Sequence, residues 1–259
     1  MPLPTTVLIV PATTPAAKIA IAWSGVRVLT DGWGDGSIVA VVPDQSPEPA
    51  TPVPVPTVTP DDLGGPLAGR LVRVEPLSGE HEEGLAAAAA GDPEMFAWIP
   101  VDMASSRDAL REWLRRSLAA AAEGREVPFA IVATDSGAVL GSTRFLELRF
   151  EHLRAEIGWT WVTRSAWGTG VNVETKLLLL GRAFEQTGLR RVEFKTDARN
   201  ERSRGALQAL GASFEGILRK HMVVRDGGER DSAYYSVTDD DWPRIKAHLR
   251  RRLEAHLTG

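Results

Sequence analysis

Twelve of the 17 prolines in this 259-residue chain fall within its first 66 residues, and that asymmetry decides where a regular fold can begin. Proline locks φ and lacks an amide donor, so a stretch this rich in it cannot run as helix interior or central strand. From Pro43 to Pro60 it alternates with Val and Thr (Pro47, Pro49, Pro52, Pro54, Pro56), which favours an extended polyproline-like tether. Upstream, Lys18 to Trp23 and Ser37 to Val42 have strand composition around the turn-rich run from Asp31 to Gly36, too little for an independent core. Residues 1–66 are therefore expected to be a Pro-rich, weakly ordered extension, with a docking arm as the alternative, and residues 67–259 the folded domain.

Within that domain, helical and strand periodicities alternate densely. Leu71, Val72 and Val74 suggest a first strand, Glu80 to Ala89 a helix, and Ser106 to Glu123 an amphipathic helix with Leu110, Trp113, Leu114 and Leu118 on one face. Val127 to Thr134 and Val139 to Arg149 flank a Gly-containing turn as a hairpin, and Ala155 to Thr163 reads as a further strand. Then follow a helix from Val171 to Thr187, a strand from Arg191 to Thr196 and a short helix from Glu201 to Leu210 stopped by Gly211. Two strands, Phe214 to Val224 and Ser232 to Val237, and a basic terminal helix complete it. An antiparallel first half leading into a βαβ unit makes the class mixed α/β, with a partly antiparallel sheet.

Composition removes several function classes. A net charge of −4 and a pI near 5.8 provide no global attraction to nucleic acid or an anionic membrane. The chain has no cysteine, which excludes disulfides, thiolate nucleophiles and Cys-ligated zinc, and its histidines show no metal-ligand grouping, so no metal is expected. No run of about 18 apolar residues occurs and the first residues lack the charged and apolar parts of a secretion signal, so the expected location is cytoplasmic.

The chemistry concentrates in the loop from Arg164 through Gly168, Thr169, Gly170 and Val171 to Asn172, between a strand and a helix. Glycines allow close backbone approach, and the N–H groups of a loop and first helical turn lack helical partners, a combination suited to a diphosphate. No Lys-Ser or Lys-Thr follows the second glycine, and Val173 occupies the third-glycine position, so neither a P-loop nor a dinucleotide fingerprint fits. Three further segments follow a fixed order around this loop: Glu156-Ile157-Gly158-Trp159, Asn200-Glu201-Arg202-Ser203-Arg204 and Glu215-Gly216-Ile217-Leu218-Arg219.

Together these motifs resemble the GNAT superfamily, and within it the RimJ/RimL-like branch, over roughly Gly69 to Trp242. The resemblance implies a sheet whose central strands splay apart, with flanking helices, and an acyl-CoA-dependent N-acetyltransferase. It implies that the coenzyme A pyrophosphate binds backbone amides of Gly168, Thr169, Gly170, Val171 and Asn172, and that pantetheine enters between the family's fourth and fifth strands. The thioester carbonyl would meet a backbone N–H near Trp161 or Val162, a type of contribution worth about 3 kcal/mol. One departure is Ser165 at the position where the family has Gln or Arg, with Arg164 one residue too early.

An ammonium has no lone pair, so the acceptor amine needs a base. The resemblance makes Glu156 the first choice, with Glu147 and Glu151 as stand-ins. It makes Ser203 the candidate acid near the sulfur and Asn200 a pantetheine contact, although Asn is also a favoured helix cap. Tyr234 and Tyr235 are alternative acids, of which only one can face the site. His221, the basic helix and Trp98, Trp113, Trp159 and Trp161 read better as accommodated, solvated and core residues. Arg144, Arg149, Arg154 and Arg219 would suit an acidic acceptor or acyl group.

The expected function is direct acetyl transfer from acetyl-CoA to a primary amine, either a protein N-terminus or a small molecule, in a ternary complex. Succinyl-CoA in place of acetyl-CoA, and a non-catalytic coenzyme A-binding module, are the alternatives. The expected partner is the amine acceptor, with no nucleic acid and no membrane; a homodimer remains open.

Overall fold

The structure, a computed structural model, describes residues 26–28, 41–43, 56–90, 92–224 and 226–258. It divides into two compact units, Met1–Val55 and Pro56–Gly259. In the first, β1 (Val26–Val28) pairs antiparallel with β2 (Val41–Pro43), Val26 opposite Pro43. The strand expected at 18–23 and the tether at 44–55 lie outside the described residues, and the strand expected at 37–42 meets β2 only at its end.

The second unit starts at Pro56, upstream of the boundary read at 66 from the sequence. The helix α1 (Pro60–Leu63) explains why this Pro-containing stretch still folds. Pro60 occupies the first helical turn, where its missing N–H is no loss, and Thr59 and Asp62 cap one another. Val58 and Leu63 are thereby buried in the main core.

Eight strands form one sheet in the order β3-β4-β5-β6-β7-β8-β10-β9. They are β3 (Leu67–Ala68), β4 (Val72–Pro76), β5 (Val127–Ala133), β6 (Val139–Arg149), β7 (Arg154–Val162), β8 (Arg191–Asp197), β9 (Ser213–Val223) and β10 (Glu229–Thr238). Every neighbouring pair is antiparallel except β7 and β8, which are parallel. The crossover between those two is α4 (Val171–Gly181), which widens into a π turn over Arg182–Gln186 instead of continuing as one α-helix to Thr187.

Two apolar clusters occupy the two sheet faces. On one, α4 and α6 (Trp242–Thr258) bury Leu179, Leu180, Ile245 and Leu249 against Phe129, Phe145, Ile157, Val192, Phe194 and Tyr235. On the other, α2 (Glu82–Ala89) and α3 (Arg107–Ala122) bury Leu85, Leu110, Trp113 and Leu114 against Ala130, Val132 and Trp161. Ser106 caps α3 by accepting from the Ala109 amide at 3.1 Å. The last helix before the β9–β10 hairpin, α5 (Glu201–Leu210), ends at Gly211 with φ of 96°, a conformation glycine adopts without strain. Among the described residues no helix is long and apolar enough to cross a membrane.

Candidate active site

The sheet opens at its one parallel joint. β7 and β8 share only the rungs Arg154–Arg191, Ala155–Val192 and Glu156–Glu193, whereas β8 and β10 stay paired over all seven residues of β8. A bulge in β7 accompanies the separation. Ser142 of β6 faces Trp161 and Arg144 faces Gly158, so Trp159 and Thr160 together answer the single residue Thr143, and Trp159 takes a φ of 51°. The two strands are thus splayed beyond Glu156.

The bulge also sets which main-chain edges face the opening. The Trp161 carbonyl lies against Gly141 of β6, where an added Cβ would run into it, and the Thr163 amide donates to Leu140 at 2.7 Å. Strand alternation then turns Val162 the other way, and its carbonyl accepts the Trp167 indole N–H at 2.9 Å. Of the two residues expected to present a donor, Val162 has its edge toward the gap and Trp161 toward β6, with the Trp161 side chain buried against Phe96.

Beyond β7 the chain makes a short turn, and Gly168 and Gly170 both adopt left-handed φ values, 75° and 90°. Gly170 begins α4 with no side-chain cap. Among the described residues, nothing accepts from the N–H groups of Gly168, Thr169, Gly170, Val171, Asn172 or Val173; the first helical bond is from Glu174 to the Gly170 carbonyl, at 2.9 Å. Six adjacent free donors at a helix N-terminus fit a diphosphate, so the chain's own backbone suits the anionic end of coenzyme A. The Thr169 hydroxyl is turned away, donating to the Ala166 carbonyl at 2.8 Å.

The helix is locked in place by Glu174. Its buried carboxylate accepts from the amides of Arg70 (2.7 Å), Leu71 (2.6 Å) and Val72 (2.9 Å). Gly69 leaves room for it, since any Cβ there would collide with the carboxylate.

Ala155 and Ile157 point into the main core, so Glu156 points to the opposite sheet face, near the mouth of the gap. It is 2% exposed, and Gly158 leaves space beside its Oε1, which an added Cβ would approach to 2.7 Å. Lys195 of β8 pairs with Glu156 Oε2 at 3.0 Å. Burial pushes the Glu156 carboxyl up to about 7, against the opposing pull of Lys195 and with a further upward push from Glu147 and Glu193. The same face carries Tyr234, whose hydroxyl meets His221 Nε2 at 3.2 Å, while His221 Nδ1 meets Ser232 Oγ at 3.0 Å. Burial raises the Tyr234 hydroxyl and lowers the His221 imidazole. Tyr235 faces the core and receives Arg204 Nε at 3.3 Å, so of the tyrosine pair Tyr234 is the one on the Glu156 face.

Where β8 meets α5 the geometry closes. Asn200 Oδ1 accepts from the Ser203 amide at 3.0 Å and caps the helix, and Asp197 holds Arg199 through two oxygens. The Ser203 hydroxyl makes no hydrogen bond among the described residues, and the Arg202 guanidinium lies 3.6 Å from the centroid of the Trp167 ring beside the glycine loop.

Other candidates are brought elsewhere. Glu147 is half-exposed and pairs with Arg149, and Glu151 is exposed. Arg144 is buried between Trp113 and Trp159 and ion-pairs with Glu126. Two groups at the site escaped the sequence reading: Lys195, whose signal was its place on the polar side of a strand with core-facing Val192 and Phe194, and Lys176. The latter is buried on α4, donates to Thr160 Oγ1 at 2.8 Å, and has its ammonium pushed down to about 7 by burial. A lysine inside the apolar run of that helix was the available clue. Among the described residues no group of three or more His, Asp or Glu side chains is arranged to hold a metal ion.

A family model described as an acetyltransferase (GNAT) domain matches residues 72–213. The uncharacterized N-acetyltransferase p20 of Bacillus licheniformis is 30% identical over 134 residues, 50% of this chain and 72% of that protein. The crystal structure of a GCN5-related N-acetyltransferase from Brucella melitensis superposes with a TM-score of 0.69 at 30% identity, covering 77% of this chain and 87% of that one. Mycobacterium smegmatis RimJ in complex with CoA-disulfide superposes with a TM-score of 0.61 at 25% identity, covering 74% and 92%.

Proposed function

Since the chain belongs to the GNAT N-acetyltransferase family, whose members join an acyl-CoA to an amine acceptor, we propose that it transfers acetyl directly to a primary amine in a ternary complex. The acceptor is a protein N-terminus or a small-molecule amine, and the enzyme works in the cytoplasm. Bound acetyl-CoA supplies an activated acyl thioester; the chain's residues do the rest.

The backbone N–H groups of Gly168, Thr169, Gly170, Val171 and Asn172 hold the pyrophosphate, and the edge of Val162 faces the acyl end. Asn200 and Ser203 border the pantetheine side, where the Ser203 hydroxyl is available to the sulfur. Glu156 takes the proton that the amine must lose. A carboxylate with an ordinary pKa is too weak a base to strip an ammonium efficiently, whereas one raised to about 7 is matched to neutral pH. That buried carboxylate at the mouth of an open strand joint is the observation that carries the reading.

Thiol release measured with acetyl-CoA and succinyl-CoA across a panel of amines tests it, alongside thermal melts with acetyl-CoA. Release with acetyl-CoA and an amine is expected. Turnover with succinyl-CoA alone would change the acyl group, and binding without turnover would leave a coenzyme A-binding module.

The diphosphate loop is tested at Gly168, where an added side chain meets open space, rather than at Gly170, where it would press on His256 and Leu71. Asp and Asn both tolerate a left-handed φ. Gly168→Asp is expected to remove the acetyl-CoA melting shift, because a carboxylate repels the pyrophosphate, and Gly168→Asn to keep it. An undiminished shift in Gly168→Asp would put the cofactor elsewhere.

A further inference from the structure

Lys176 has no part in the proton path above, yet a buried ammonium is among the more unfavourable groups a core can hold. Its Nζ donates to Thr160 Oγ1 at 2.8 Å, and Thr160 Oγ1 in turn meets Thr143 Oγ1 at 2.7 Å. On its other side, Nζ lies 5.6 Å from the centroid of the Phe194 ring. Thr160 belongs to β7 and Phe194 to β8, and both lie beyond the last shared rung at Glu156–Glu193. The amine therefore spans the opening from the α4 side, as its floor.

Among the described residues no carboxylate accounts for this charge. Glu174, two residues earlier on α4, is occupied by the amides of residues 70–72. Glu156 is paired with Lys195 and projects to the opposite sheet face. Burial is the sole cause of the lowered Lys176 ammonium, with no charged side chain contributing, and its neighbours on β6, β7 and β8 are two hydroxyls and a ring. The structure thus keeps a buried amine, with no charged partner among the described residues, beneath the point where β7 and β8 cease to pair.

We propose that Lys176 is the charge partner of the coenzyme A sulfur as the thioester C–S bond breaks. The inference rests on the reading that the pantetheine arm enters between β7 and β8. In the step, the acceptor nitrogen forms a bond to the acyl carbon and gives its proton to Glu156. The C–S bond breaks with its electron pair on sulfur, and the Lys176 ammonium stands opposite the resulting thiolate. A neutral thioester asks little of that cation and a thiolate asks much, so the interaction strengthens as the bond breaks, which is the condition for a contact to speed the reaction. Thr160 is a positioning residue that aims the amine.

Because the chain contains no cysteine, ultraviolet thiolate absorbance of its complex with coenzyme A reports the cofactor thiol alone. Titrating that complex is the test, with binding verified by the melting shift. The bound thiol is expected to titrate at least about one unit below free coenzyme A, an about tenfold larger thiolate fraction near neutral pH. Lys176→Met should abolish the displacement and Lys176→Arg should retain part of it, both still binding coenzyme A. A thiol that titrates as in free coenzyme A while bound to the unaltered protein overturns the proposal and leaves the strand-gap reading standing; so does an unchanged displacement in Lys176→Met. Absence of any melting shift from coenzyme A in the unaltered protein overturns both.

Discussion

The domain contains two successive strand-to-helix junctions built from the same kind of unit, and they end differently. From β7 the chain enters α4 through two left-handed glycines and leaves six amides without an acceptor among the described residues. From β8 it enters α5 through Asp197 and Asn200, whose side chains accept from the Arg199 amide and guanidinium and from the Ser203 amide. A helix start by itself is therefore no sign of a site; what distinguishes one is whether the chain has supplied its own cap. The strands differ likewise, β8 being paired with β10 throughout and β7 released from β8 after three rungs.

The largest effect expected on this contrast concerns Glu156, on the released strand. Glu156→Gln should lower kcat about 10²–10⁴-fold with KM for acetyl-CoA nearly unchanged, read in steady-state thiol release. In the unaltered enzyme kcat/KM should rise as pH increases through about 7, since the carboxyl accepts no proton until it has lost its own. A flat profile from pH 5 to 9 would remove Glu156 from the proton path.

Next comes the lock on the open junction. Glu174→Ala leaves one buried and two part-buried amides without an acceptor and is expected to destabilise the fold by about 3 kcal/mol, lowering Tm by roughly 10 °C in a melt without ligand. If the loss is no larger than that of an ordinary surface change, α4 is held by its apolar face alone.

On the closed strand, Lys195→Met removes the cation that pulls the Glu156 carboxyl down, so the rising limb of the pH profile should move to higher pH. Movement in the other direction would show that Lys195 acts on the acceptor and not on the base. The smallest effect belongs to the capped helix: Asn200→Ala should cost about 1 kcal/mol and leave the acetyl-CoA melting shift in place. Loss of that shift would make both junctions cofactor sites and erase the distinction.

What could be read in advance follows from the range of the forces involved. Helices α3 and α5 were legible to within a residue because a serine at 105 or 106 ahead of α3, Asn200 ahead of α5 and the stop at Gly211 are local signals. The hairpin of β5 and β6 announced itself in the same way. The π turn after α4 was hidden, since the apolar run through Phe184 reads as uninterrupted helix. β3 is two residues long and exists only through its partner β4.

At the candidate site, Glu156 and the glycine loop were visible because each lies in a short contiguous motif. Which of Trp161 and Val162 faces the gap was not, because the answer depends on a bulge whose signature, the positive φ of Trp159, no tryptophan advertises. The Glu156–Lys195 pair and the Lys176–Thr160 contact both cross between elements, and pairing of that kind appears only once the strands are set side by side.

The grip of Glu174 on the amides of Arg70 to Val72 has a bearing on assembly. The partners stand 104 residues apart in the case of Arg70, so closing that contact means bringing the first long strand of the domain against a helix made much later in synthesis. The amide cradle takes its final shape only when that distant closure is complete. On the proposed reading of that cradle, cofactor capture is a late event in the maturation of the chain, since a nascent polypeptide whose α4 is not yet made, or one clipped ahead of Val72, would give coenzyme A nothing rigid to hold.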